Sequence, residues 1–106
     1  MRLRMILPAL LVATPAFASS AVDNAFLLCR IIDNTHMASA PCEVSGWNSS
    51  VTATIDMTSA DARQACAMIV GLVQSKSMHF DGTKWTLQIK SPYSGDKTIA
   101  FCNLPK

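Results

Sequence analysis

The stretch TSADARQACAMIVGLVQSKS, residues 58–77, decides the fold. At helical spacing, Ala62, Ala65, Cys66, Ile69, Leu72 and Val73 gather on one side, with Val70 at the margin. Arg63, Gln64, Gly71, Gln74 and Ser75 take the other side. An apolar stripe opposite a polar one is what a helix lying on a core requires. Thr58, followed three residues later by Asp61, supplies the capping pattern that starts such a helix. Asp61 near the amino end and Lys76 near the carboxyl end both suit the helix dipole. Gly71 weakens the helix by about 1 kcal/mol relative to alanine, on its wet side. Cys66 falls inside the apolar arc, so it faces the surface the helix rests on and is placed to bond to it.

Towards the carboxyl end, residues 80–83 (FDGT) read as a turn and residues 84–90 (KWTLQIK) as a strand. Trp85, Leu87 and Ile89 alternate with Lys84, Thr86, Gln88 and Lys90, as in a half-buried strand. Residues 91–96 (SPYSGD) carry the proline and glycine of a hairpin loop. Residues 98–104 (TIAFCNL) form the last strand. Pairing Leu87 with Ala100 puts Trp85 opposite Cys102 and Ile89 opposite Thr98. Cys102 then faces inward, towards Cys66. The same parity turns Ile99 and Phe101 outward, where either Phe26, Leu28 and their neighbours cover them, the favoured reading, or the two form part of a contact surface.

Towards the amino end, residues 51–55 (VTATI) alternate strictly, with Val51, Ala53 and Ile55 on one face. Asn48, Ser49 and Ser50 make a turn and, formally, a glycosylation sequon. Residues 43–47 are a short strand, and residues 34–41 (NTHMASAP) a loop. Residues 23–33 (DNAFLLCRIID) suit either a buried strand or a short helix capped by Asp23; the helix is the reading taken. The expected fold is α+β in the order α(or β)-β-β-α-β-β. A small, mostly antiparallel sheet carries the central helix across it.

Residues 1–18 read as a secretory signal peptide. Arg2 and Arg4 give a basic start, an apolar run follows, and Ala16-Phe17-Ala18 is a small-x-small cleavage pattern. The run is short and interrupted by proline, which does not suit a membrane span. Removing 18 of the 106 residues leaves a single domain, residues 19–106. Of nine basic residues, Arg2 and Arg4 leave with the signal, so seven face seven acidic ones. That balance argues against nucleic acid or an anionic membrane surface as partner.

Cys29, Cys42, Cys66 and Cys102 all lie beyond the signal. A small exported domain has a limited core, and disulfides are the usual supplement. Of the three possible pairings, Cys29–Cys42 closes a local loop and Cys66–Cys102 ties the helix to the last strand; this is the pairing expected. The CxxC or close Cys/His spacing of a zinc site is missing.

The chemistry-bearing residues form no recognisable set. A histidine-dependent catalytic group would need His36 or His79. The cysteines are taken by disulfides, and GxSxG, HExxH and P-loop patterns do not occur. The expectation is a periplasmic or secreted binding or accessory protein, with neither catalysis nor cofactor. Its partner is expected to be another exported or envelope protein, and no membrane anchor remains after cleavage. Trp47, Tyr93, Ile99 and Phe101 are the expected partner-binding residues: Trp47 and Tyr93 because rigid aromatics on loops anchor protein contacts, Ile99 and Phe101 as the outer face of the last hairpin. The alternative is a copper-handling protein using His36-Met37 and Met78-His79, since thioether and imidazole suit copper; methionines filling gaps in the core are the simpler explanation. A small hydrolase ranks third.

Overall fold

The computed structural model describes residues 20–106; the expected signal peptide lies outside the described residues. Six elements follow in the order α1 (Ala21–Asn34), β1 (Ala38–Ser45), β2 (Ser50–Ile55), α2 (Ser59–Ser75), β3 (Thr86–Lys90) and β4 (Thr98–Asn103). The fold is α+β. Residues 23–33 are helical, but Asp23 is not the cap. Ser20 precedes the helix in an extended conformation, and its hydroxyl accepts from Asp23 N–H at 3.1 Å. Asp23 lies in the first turn, where its charge suits the dipole.

The sheet has the order β1-β2-β3-β4. Its outer pairings are antiparallel and its central pairing, β2 with β3, is parallel. The parallel pair follows from α2. A helix packed back along the sheet returns the chain to the end where β2 began, so β3 runs the same way.

Thr58 caps α2, its hydroxyl accepting from Asp61 N–H at 3.1 Å. Ala62, Cys66 and Val73 are buried, while Ala65, Ile69 and Val70 are half-buried. Leu72, expected inward, stands at the solvent boundary. Both helices lie on one face of the sheet. Ala25, Leu28 and Ile32 of α1 share a core with Val51, Ala53, Leu87, Ile89 and Ala100. Phe80 and Trp85 close the core with ring centroids 6.0 Å apart.

The disulfides join Cys29 to Cys42 and Cys66 to Cys102, with Cα separations of 5.2 and 6.1 Å. The first ties α1 to the outer strand β1, and the second ties α2 to the outer strand β4. Each helix is thus clamped over one edge of the sheet. The chain-entropy model gives about 3 and about 4 kcal/mol for loops of 13 and 36 residues.

Three further expectations need correction. The β3–β4 register is Leu87 with Cys102 and Ile89 with Ala100, not Leu87 with Ala100. The slide is by two residues, so Ala100 and Cys102 keep their face. An irregularity between Ile89 and Lys90 then sets Thr98 opposite Lys90, not Ile89, where its hydroxyl donates to Gln88 Oε1 on the outer face. The slide brings Leu104 beside Trp85, with Leu104 N–H donating to Trp85 O at 2.9 Å, and buries Leu104. The expected register would have left that side chain beyond the strand.

Residues 38–41, expected as loop, belong to β1, which ends at Ser45 and leaves Trp47 in the turn. Its register is irregular between Ala38 and Glu43. An edge strand accommodates such irregularity and tolerates Pro41, which has no N–H to donate.

Finally, α1 does not cover Ile99 and Phe101. The Cys29–Cys42 bond holds it above β1 and β2. Leu28 is in the core, Phe26 is in solvent, Ile99 is half-buried and Phe101 is exposed.

Candidate functional site

Six aromatic side chains are described, and only Phe80 and Trp85 are buried. Trp47 is 96% exposed, Tyr93 83%, Phe101 67% and Phe26 56%. Each has a local reason for its position. Trp47 occupies the β1–β2 turn, where Ser49 adopts φ 52° and Asn48 N–H donates to Ser45 Oγ at 3.1 Å. Tyr93 stands on the β3–β4 loop. Its N–H donates to Ser91 Oγ at 3.0 Å, and Ser94 Oγ bridges the loop by accepting from Ser91 N–H and donating to Lys97 O. Phe101 pairs across the sheet with Gln88, on the face away from both helices.

These residues do not form one patch. Thr86 N–H donates to Ser49 O, so the Trp47 turn lies where β3 starts, whereas Tyr93 lies where β3 ends. Five residues of strand separate the two ends by roughly 17 Å. Ile99 and Phe101 lie between them on β4.

A companion to Trp47 comes from α1. A Cβ at Gly46 would meet Val22 Cγ2 at 3.9 Å, so the turn sits against the first turn of the helix. Phe26 lies four residues on from Val22, on the same helix face. Val22, Phe26 and Trp47 therefore give one end of the domain an exposed apolar surface. Sequence reading gave Phe26 a covering role; the signal against it was local, since Asp23, three residues before, and Arg30, four residues after, share its side of the helix, away from Leu28 and Ile32.

The two His/Met pairs are not brought together. Asn24 Nδ2, in the first turn of α1, donates to His79 O at 2.7 Å. His36 lies two residues beyond the end of the same helix. The helical length between these points is about 18 Å. His79 Nδ1 lies 2.7 Å from Lys106 O, which only accepts, so Nδ1 carries the proton there. Among the described residues no three His, Cys, Asp or Glu side chains converge as metal ligands.

Sequence reading also missed a groove of about 390 Å³ between the helices. Leu28 and Ile32 of α1, Ile55 of β2, and Ala65 and Ile69 of α2 are among its walls. Met37, Met57 and Met68 line it as well, each from a different segment. The Thr35 hydroxyl, also in the lining, donates to Ile32 O at 2.6 Å.

The two disulfides fit an oxidising compartment. Among the described residues no helix is long and apolar enough to cross a membrane. No protein family, curated protein or solved structure matches the chain.

Proposed function

We propose that this is a small exported, periplasmic or secreted, non-catalytic binding or accessory protein that engages another exported or envelope protein. One observation carries the reading: four of the six described aromatic side chains stand in solvent. Exposed apolar residues that gather, as Val22, Phe26 and Trp47 do at one end of the domain, mark contact surfaces where singly scattered ones do not, and aromatics dominate the energetics of protein contacts. The anchor of the interface is Trp47, supported by Val22 and Phe26 of α1. Tyr93 and Phe101 serve a second contact, beyond the reach of the first. The two disulfides and the signal-like residues 1–18 support export; the dispersed acids and histidines support a role without catalysis.

Affinity capture from the envelope and secreted fractions tests the reading, with Phe26→Ser/Trp47→Ser protein run in parallel. A discrete partner retained by the wild type and lost by the variant supports it. Identical captures from both proteins reject the surface.

A further inference from the structure

Four methionines fall within the described residues, and they divide sharply. Met78 is 5% exposed and does what a core methionine does, filling a gap beneath the end of α2. Met37 is 63% exposed and Met68 75%, while Met57 is half-buried. Met57 packs against the edge of the core, but gap-filling does not account for Met37 and Met68. The three arrive from the α1–β1 connection, the β2–α2 connection and α2, and they line the same groove.

We propose that Met37, Met57 and Met68 form a Cu(I) site at the mouth of the groove between the helices. The proposal does not depend on the aromatic surface. Thioether sulfur is a soft, uncharged donor, and soft donors select Cu(I) over hard divalent cations. Each methionine has three rotatable side-chain bonds, which lets three sulfurs from separate segments meet on one ion. The rest of the lining is almost wholly carbon. Its one side-chain oxygen, the Thr35 hydroxyl, donates to Ile32 O and accepts from Met37 N–H, so a hard hydrated cation finds no carboxylate or other oxygen-rich ligand set there. No competing thiolate exists among the described residues, since all four cysteines are in disulfides. Binding releases no proton, because a thioether has none to lose. The site differs from the pairing of His36-Met37 with Met78-His79, which α1 holds apart.

The test is anaerobic competition for Cu(I) between bicinchoninate and the disulfide-intact protein, with ascorbate rather than a thiol as reductant. Silver(I), a redox-inert substitute, is titrated in parallel while the methionine methyl resonances are followed. One equivalent of metal is expected to bind. The methyls of Met37, Met57 and Met68 move and that of Met78 stays. Substituting Leu for all three groove methionines keeps the apolar volume and lowers Cu(I) affinity by more than about 100-fold, above the loss from an outer-shell change. Met78→Leu leaves the affinity within about threefold, because Met78 is buried in the core and is not part of the groove lining. Failure to compete for one equivalent overturns the proposal. So does binding that survives the triple substitution, or silver shifts confined to Met78 and the histidines.

Discussion

Cys66 of α2 is bonded to Cys102 of β4, 36 residues further along the chain, with the two Cα atoms 6.1 Å apart. The bond requires an inward-facing position on each element, and both are met: Cys66 lies in the buried stripe of the helix and Cys102 stands beside Leu87. Trypsin separates the four cysteines into four peptides, because Arg30, Arg63 and Lys97 lie between them. Non-reducing digestion should therefore yield two linked pairs, one containing Cys29 and Cys42 and the other Cys66 and Cys102. Replacing Cys66 and Cys102 together by alanine should cost about 4 kcal/mol in urea unfolding, against about 3 kcal/mol for Cys29 and Cys42. The reverse order would show that loop closure does not govern their contributions.

Side-chain parity along the hairpin makes a second prediction. Leu87 is fully buried and Phe101 is largely exposed. Leu87→Ala should destabilise by about 3 kcal/mol through lost burial and an unfilled cavity. Phe101→Ser should change stability by no more than about 0.5 kcal/mol. Comparable losses at both positions in chemical denaturation would mean that the outer face of β4 is covered.

The end of α2 contains a residue of the wrong type for its backbone. Met78 N–H donates to Val73 O at 3.1 Å and Ser77 N–H to Gln74 O at 3.0 Å, with Ser77 at φ 55°. This is the Schellman arrangement, in which the left-handed position favours glycine. Ser77→Gly should stabilise the protein by roughly 1 kcal/mol, since L side chains pay about that to adopt this region. Ser77→Ala should give no gain. A fall in melting temperature for Ser77→Gly would contradict the assignment.

The cap of α1 is Ser20 and not Asp23. Ser20→Ala should cost about 1 kcal/mol by freeing a helix N–H. Asp23→Asn should cost only a few tenths through the helix dipole. Thermal melts of the two variants distinguish the roles.

Much of this fold could be read from the chain. The period of residues 58–77 and the Thr58 cap defined α2, and strict alternation defined β2 and β3. The cystine pairing followed from parity, which survived a two-residue error in register because side chains repeat every second residue. Other features had no local signal. Ser39, Ala40 and Pro41 do not read as a strand, and only an edge position admits them. Ser20 stands next to the expected cleavage region, where a helix start is easily missed. The gathering of Met37, Met57 and Met68 depends on how three segments pack.

The central claim is that exposed aromatics, with Trp47 foremost, bind another protein outside the cytosol. The most direct measurement places a photo-crosslinking amino acid at position 47 in the producing cell, with position 64 on the exposed side of α2 as control. The account predicts a discrete protein adduct from position 47 and none from position 64. Exported protein that yields no adduct at position 47, or the same products from both positions, would contradict it.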